Sequence, residues 1–433
     1  MEFSLGGRAI PSNRICSFAA LMIAGLIFLR DIAGLGINSW AITIVSFGAF
    51  LLLSSENVIC LTMFIIPFIS GISAGRVMLL AAIFIIIKCR RIKISVIFMI
   101  FLVTLLELNA SRWYLDSNHS EMFPYITCSA VLFILILNDF EVDYRRCIKY
   151  YFFGIIAAIC IALLGSVLSG GLTVATLVSS RGHLGTNLVS VDGARLSFNA
   201  NTYAFYCISG ITCGFVLIKN TMNITTRRWF SILTLFLLFA GVFSVSRTFL
   251  LVAALCVFLY VSSESDSITR IIKIGLLIIA VVIAGLYVMQ SNSGIINAWL
   301  YRFTGEDIET GGQRLTLFQE YMDVFFSNER FKWIGTGVTQ YREITHVYNS
   351  MHNSLQQILI CLGIPGACIY VLSLLSPVWR LRYEKIKLLY WIPFIGIVLF
   401  LQSIQFLNPC MFIPTYAAGI YALRMGRDKN YEE

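Results

Sequence analysis

Residues Asn349–Leu372 read NSMHNSLQQILICLGIPGACIYVL. A histidine and an asparagine, His352 and Asn353, stand at the lip of an apolar run of roughly twenty residues, the length that crosses a bilayer. Gly363, Pro365 and Gly366 interrupt that run, so the periodicity predicts a helix with a built-in break. An imidazole there is either a helix-end residue or a reacting group placed where a membrane meets water.

The same kind of run recurs from end to end of the chain. Of its 433 residues 58% are hydrophobic and 13% charged, and the mean hydropathy is +0.82. A soluble chain carries about twice that charge. In lipid each backbone polar group must be satisfied within its own segment, so the runs are helices. The expected fold is an all-α polytopic integral membrane protein with about 14 transmembrane helices. Their expected positions are 15–29, 36–54, 58–73, 77–88, 94–108, 122–138, 150–168, 198–218, 229–245, 248–262, 272–289, 354–376, 388–404 and 409–424. The first apolar run lacks a small-residue cleavage pattern, so it is expected to stay as a helix. The 12 cysteines are scattered, mostly through apolar runs, without metal-ligand spacing.

The formal charge of +9 is not a nucleic-acid footprint, because it is distributed as topology signals are. With the N-terminus inside, most of the 32 Lys and Arg residues fall inside, including the clusters KCRRIK (88–93) and RLRYEKIK (380–387). Both termini are then inside. Two loops, roughly 169–197 and 290–353, are long and lie outside. Leu315, Leu317, Phe318, Tyr321, Met322, Phe325 and Phe326 recur at helical spacing, which predicts an amphipathic helix on the outer surface.

Arginines that remain outside require a reason. Arg247, in SVSRTFLLVAAL (244–255), lies between two apolar runs with almost no loop. It either snorkels to headgroups or forms an anion site facing the bundle. Arg314 opens the amphipathic helix after Gly311 and Gly312, where a guanidinium adds to the anion preference of a helix N-terminus. It too could lie on a solvated face. His352 titrates near neutrality and could act as a base or as a cap; His346 competes for the role, and His119 and His183 lie in other outer loops. Glu306, Asp307 and Glu309 form an acidic turn better suited to solvation than to a cation. No phosphate-binding glycine loop, nucleophile elbow or zinc motif occurs. Acids within the spans are nearly missing, which disfavours a proton-coupled transporter.

Three pieces in order resemble the O-antigen polymerase and O-antigen ligase family of bacterial inner membranes. They are the Ser-Arg before an apolar helix in SVSRTFLLVAAL, the Arg-Leu helix leading to a Gly-x-Gly turn in GGQRLTLFQEYMDVFFSNERFKWIGTGVTQY (311–341), and the His-Asn helix with Gly-Ile-x-Gly in MHNSLQQILICLGIPG (351–366). A fourth piece, GARLSFNANTYAFY (193–206), resembles the family's Asp-Pro-Asn-x-x-Ala but reads Asn199-Ala200-Asn201, with Ala204 following. Phe318 stands where the family often has Trp. The likeness covers roughly residues 198–376; the first part of the chain shares only topology.

The resemblance implies a metal-independent glycosyltransferase of the integral-membrane, GT-C-like type, without a cofactor. It would move a polysaccharide from undecaprenyl diphosphate to an acceptor hydroxyl at the periplasmic face of the inner membrane. It implies His352 as base and Arg247 and Arg314 as the catalytic cations on the diphosphate. Asn353, Arg181, Arg195 and Arg302 are then the substrate-binding residues. The expected division is an N-terminal transmembrane bundle (1–168), a periplasmic loop (169–197), transmembrane helices (198–289), a large periplasmic loop (290–353) and C-terminal transmembrane helices (354–433). Expected partners are undecaprenyl-diphosphate-linked oligosaccharide and polysaccharide, membrane lipid and a chain-length regulator protein, with no nucleic acid. An O-antigen polymerase is expected, with the ligase to lipid A-core as alternative and a flippase of lipid-linked sugars as an alternative of another class.

Overall fold

The computed structural model describes residues 12–89, 92–111, 122–170, 184–185, 195–263, 314–339, 341–407 and 410–432, with the short strand pair Ser4–Leu5 and Arg8–Ala9. In chain order the helices are α1 (Ser12–Asp31), α2 (Ser39–Leu52), α3 (Ser55–Ile65), α4 (Ala74–Cys89), α5 (Ile94–Ser111), α6 (Met122–Leu137), α7 (Tyr144–Leu168), α8 (Ala200–Lys219), α9 (Ile224–Val242), α10 (Arg247–Ser262), α11 (Arg314–Ser327), α12 (Glu329–Ile334), α13 (Tyr341–Thr345), α14 (Ser354–Arg380), α15 (Leu388–Leu401) and α16 (Tyr416–Glu432). A 3₁₀ turn, Ile66–Gly71, extends α3. Leu184–Gly185 pairs antiparallel with Ser197–Phe198 just ahead of α8.

Each expected span overlaps a helix, 409–424 only from Tyr416 onward, except 272–289, which lies outside the described residues. The segments Ser12–Asp31, Tyr144–Leu168, Ala200–Lys219 and Ser354–Tyr383 are long and apolar enough to cross a bilayer. Shorter apolar helices such as Ser39–Leu52 and Leu388–Leu401 accompany them. Large apolar side chains such as Phe18, Leu21, Phe98 and Phe101 point away from the bundle. A patch of that kind suits lipid rather than water. Asparagine and aspartate start many of the helices. Asn38, Asp143, Asn199, Asn223 and Asn353 each accept a bond from a backbone N–H of the first turn.

α8 is the central post, nearly all of it buried, and it packs on α7, α9 and α15. Gly210 and Gly214 make its close contact with α9. A Cβ on Gly214 would stand 2.2 Å from Thr234 Oγ1, and one on Gly210 2.5 Å from Leu237. This is the small-residue spacing that lets membrane helices approach.

Four tethers order the ends of the bundle. Ser246 Oγ, ahead of α10, donates to Asn201 Oδ1 at the start of α8 (3.3 Å). Tyr390 OH at the start of α15 donates to Asn220 Oδ1 just past α8 (2.8 Å). Ser354 Oγ at the start of α14 donates to Ile404 O beyond α15 (2.9 Å). Leu196 N donates to Asp31 Oδ2 at the end of α1 (2.9 Å). The starts of α8, α10 and α14 therefore share one end. The opposite end collects the basic clusters. There Asp139 meets Lys93 at 2.7 Å, Arg424 at 3.4 Å and Arg380 at 3.7 Å, and Arg146 meets Glu56 at 3.3 Å.

Candidate active site

α14 holds the site by being broken. Gly363 has φ 69° and ψ 175°, and Pro365 follows inside the helix. Proline has no N–H to give the carbonyl four residues back, which is Cys361. Gly337 N donates to that carbonyl at 3.0 Å, and Thr336 N donates to Ile360 O at 3.0 Å. The turn Gly335-Thr336-Gly337 thus fills the break backbone to backbone. Gly335, at φ 78°, allows it: a Cβ there would lie 2.2 Å from Cys361 O. The Gly-x-Gly and Gly-Ile-x-Gly motifs are two halves of one joint.

Glu107, buried at the end of α5, secures the turn from the other side. Its carboxylate accepts from Val338 N at 2.7 Å, from Thr339 N at 3.0 Å and from the Thr339 hydroxyl.

α11 then lies against the start of α14. Gln356 Nε2 donates to Phe318 O at 2.8 Å. The buried Tyr321 donates from its hydroxyl to Val347 O (2.8 Å) and Asn349 O (2.6 Å), which fixes the segment entering His352. Arg342 Nη2 donates to Ser350 Oγ at 2.5 Å. Arg342 Nε and Gln405 Nε2 both donate to Tyr341 OH, at 3.1 and 2.7 Å. Met351 is fully buried, and Asn353 caps α14 by accepting from Gln356 N at 3.0 Å.

A cavity of about 180 Å³ results, lined by His352 and Asn353 just ahead of α14 and Gln356 in its first turn, by Arg314, Leu317 and Phe318 of α11, and by Gln402 beyond α15. Burial lowers the His352 pKa below the ordinary imidazole value, and the charges of Arg314 and Arg342 lower it further. At pH 7 the ring is neutral and able to accept a proton.

Of the expected residues, His352, Asn353 and Arg314 line one cavity. Arg247 opens α10 at the same end of the bundle, half-buried, and does not line it. Its neighbour Ser246 reaches Asn201, so the SVSR and FNANTY stretches touch. Arg195 is exposed before α8, also at this end and outside the cavity. Arg181, Arg302, His119, His183 and the acidic turn lie outside the described residues. His346 sits exposed in a left-handed turn, φ 56°, and does not line the cavity. The sequence offered weaker signals for Arg342, Gln356 and Gln402. Arg342 stands in the outer loop 290–353 without a motif. Gln356 stands at the capping distance from Asn353. Gln402 carries no motif.

A half-buried histidine and an arginine thus line one small cavity in a chain of apolar helices. Residues 230–371 match the family profile described as O-antigen ligase, Wzy_C. Over that stretch the chain is similar to the O-antigen ligase family. The match includes Arg247, Arg314, His352, Asn353 and both halves of the glycine joint. No curated protein matches the chain.

Proposed function

We propose that the protein is an O-antigen polymerase. It moves a growing polysaccharide from undecaprenyl diphosphate onto a lipid-linked repeat unit at the periplasmic face of the inner membrane. The observation that carries this is the shared cavity of His352 and Arg314.

His352 accepts the proton of the acceptor hydroxyl as that oxygen attacks the anomeric carbon of the donor sugar. The new glycosidic C–O bond forms while the bond from that carbon to the diphosphate oxygen breaks. Undecaprenyl diphosphate leaves with the electron pair. Arg314 stabilises the charge developing on it, and Arg247 takes part from the same end of the bundle. Asn353 holds the start of α14 and presents its amide to a sugar hydroxyl. Arg195, with Arg181 and Arg302, serves the sugars or the second diphosphate that a polymerase must hold. The contact of Ser246 with Asn201 supports this reading, since it joins the FNANTY stretch to the arginine.

The family profile is named for the ligase, and that favours a second reading in which the acceptor is lipid A-core. Both reactions use the same donor and the same base. Deleting the gene separates them on a lipopolysaccharide gel. Core bearing one repeat unit identifies the polymerase. Bare core, with polymer stranded on its lipid carrier, identifies the ligase and overturns our first reading.

A further inference from the structure

A second and larger cavity, about 710 Å³, opens among α1, α7, α8 and α9. It lies at the end away from His352: Leu217, near the end of α8, lines it, whereas Asn201 at the start of α8 meets Ser246. The sixteen residues of helix from Asn201 to Leu217 put about 24 Å between the two. The cavity has a charged part and an apolar part. Arg145, Arg146 and Lys149, all from the first turns of α7, line its charged part, and Leu21, Phe153 and Phe230 line its apolar part. One acid, Asp143, lines it too, and its side chain already accepts from Arg146 N at 3.1 Å. Glu56 takes one edge of Arg146 (3.3 Å), and Thr221 accepts from Arg145 Nη2 (3.1 Å). These bonds hold both guanidiniums in place and leave the lining cationic. Leu21 and Phe153 continue onto the outer, apolar surface of the helices.

We propose that this cavity binds one anionic phospholipid of the surrounding bilayer, its phosphodiester on Arg145, Arg146 and Lys149 and an acyl chain along Leu21 and Phe153. A water-soluble phosphate would use the cations and leave the apolar wall bare. A zwitterionic lipid would use the wall and gain little from the cations. Only an anionic lipid matches both parts. The site is independent of the sugar-transfer chemistry, because it stands on the other end of α8.

The test uses the full chain purified in detergent and titrated with dioleoyl phosphatidylglycerol or dioleoyl phosphatidylcholine. Native mass spectrometry counts the lipid retained. One phosphatidylglycerol should be held at least about tenfold more tightly than phosphatidylcholine, the acids Asp143 and Glu56 offsetting part of the attraction of the three cations. The preference should vanish in R145Q/K149Q. L21W, which fills the apolar part and leaves every charge in place, should weaken retention of phosphatidylglycerol. It keeps the test valid if the charge variant fails to fold. R380Q, which removes a cation at the same end outside the cavity, should keep the preference. Equal retention of the two lipids, or a preference surviving in both cavity variants, overturns the proposal. So does full displacement of the lipid by millimolar inorganic phosphate, which would make this a phosphate site.

Discussion

His352 is kept neutral by its surroundings: burial disfavours the imidazolium, and Arg314 and Arg342 repel it. The linkage sign follows. Folding lowers this pKa, so between the folded value and about 6.5 the unfolded chain binds more protons. Stability from the neutral ring is fully present above that window and is lost as pH falls through the folded pKa. Activity should show an acid limb with its midpoint below that of an ordinary histidine. R342Q removes one repelling charge without touching the cavity lining, so it should move that midpoint upward in a pH–rate profile; an unmoved midpoint would remove Arg342 from the account. H352Q should lower the transfer rate by about 10²–10⁴-fold, the range for loss of a general base, with protein abundance unchanged on an immunoblot. His352, Asn353 and Arg314 were legible as residues because they open their helices in motif positions. Their meeting was not, because it depends on Gln356 reaching Phe318 O and on Tyr321 holding Val347 and Asn349, and neither bond has a local signature.

The break in α14 is the element on which the cavity depends. Pro365 and Gly363 announced it in the sequence. The turn that repairs it, Gly335-Thr336-Gly337, lies some two dozen residues earlier, and only the fold pairs them. Gly335→Ala would place a Cβ 2.2 Å from Cys361 O at a backbone angle that side chains avoid. Little folded protein should reach the membrane, and normal abundance of G335A would contradict the joint. Glu107 carries no motif in the sequence, yet its two oxygens accept from Val338 N and Thr339 N separately. An amide offers one acceptor oxygen in their place. Glu107→Gln should therefore cost about 1–3 kcal/mol, visible as a lowered melting temperature in detergent, whereas an unchanged melt would show that the turn does not need the carboxylate.

At the scale of the molecule, hydropathy placed the helices well because apolar length is a local property, and each expected span apart from 272–289 overlaps a helix. The basic clusters assigned to one side do collect at one end, around Asp139 and Arg146. Helix order around α8 was beyond the sequence, since apolar faces look alike and tethers such as Tyr390 to Asn220 join distant positions. We expect the His352 end to face the periplasm. A cysteine at exposed position 346 should react with an impermeant maleimide in intact cells, and one at position 149 only after lysis; the reverse pattern would invert the topology. The most direct test of the central claim is complementation of the deletion strain by H352A at wild-type abundance, scored by the lipopolysaccharide ladder. Our account predicts no ladder, with the strain left as the deletion leaves it. A full ladder would make His352 a helix-end residue and remove the proposed base.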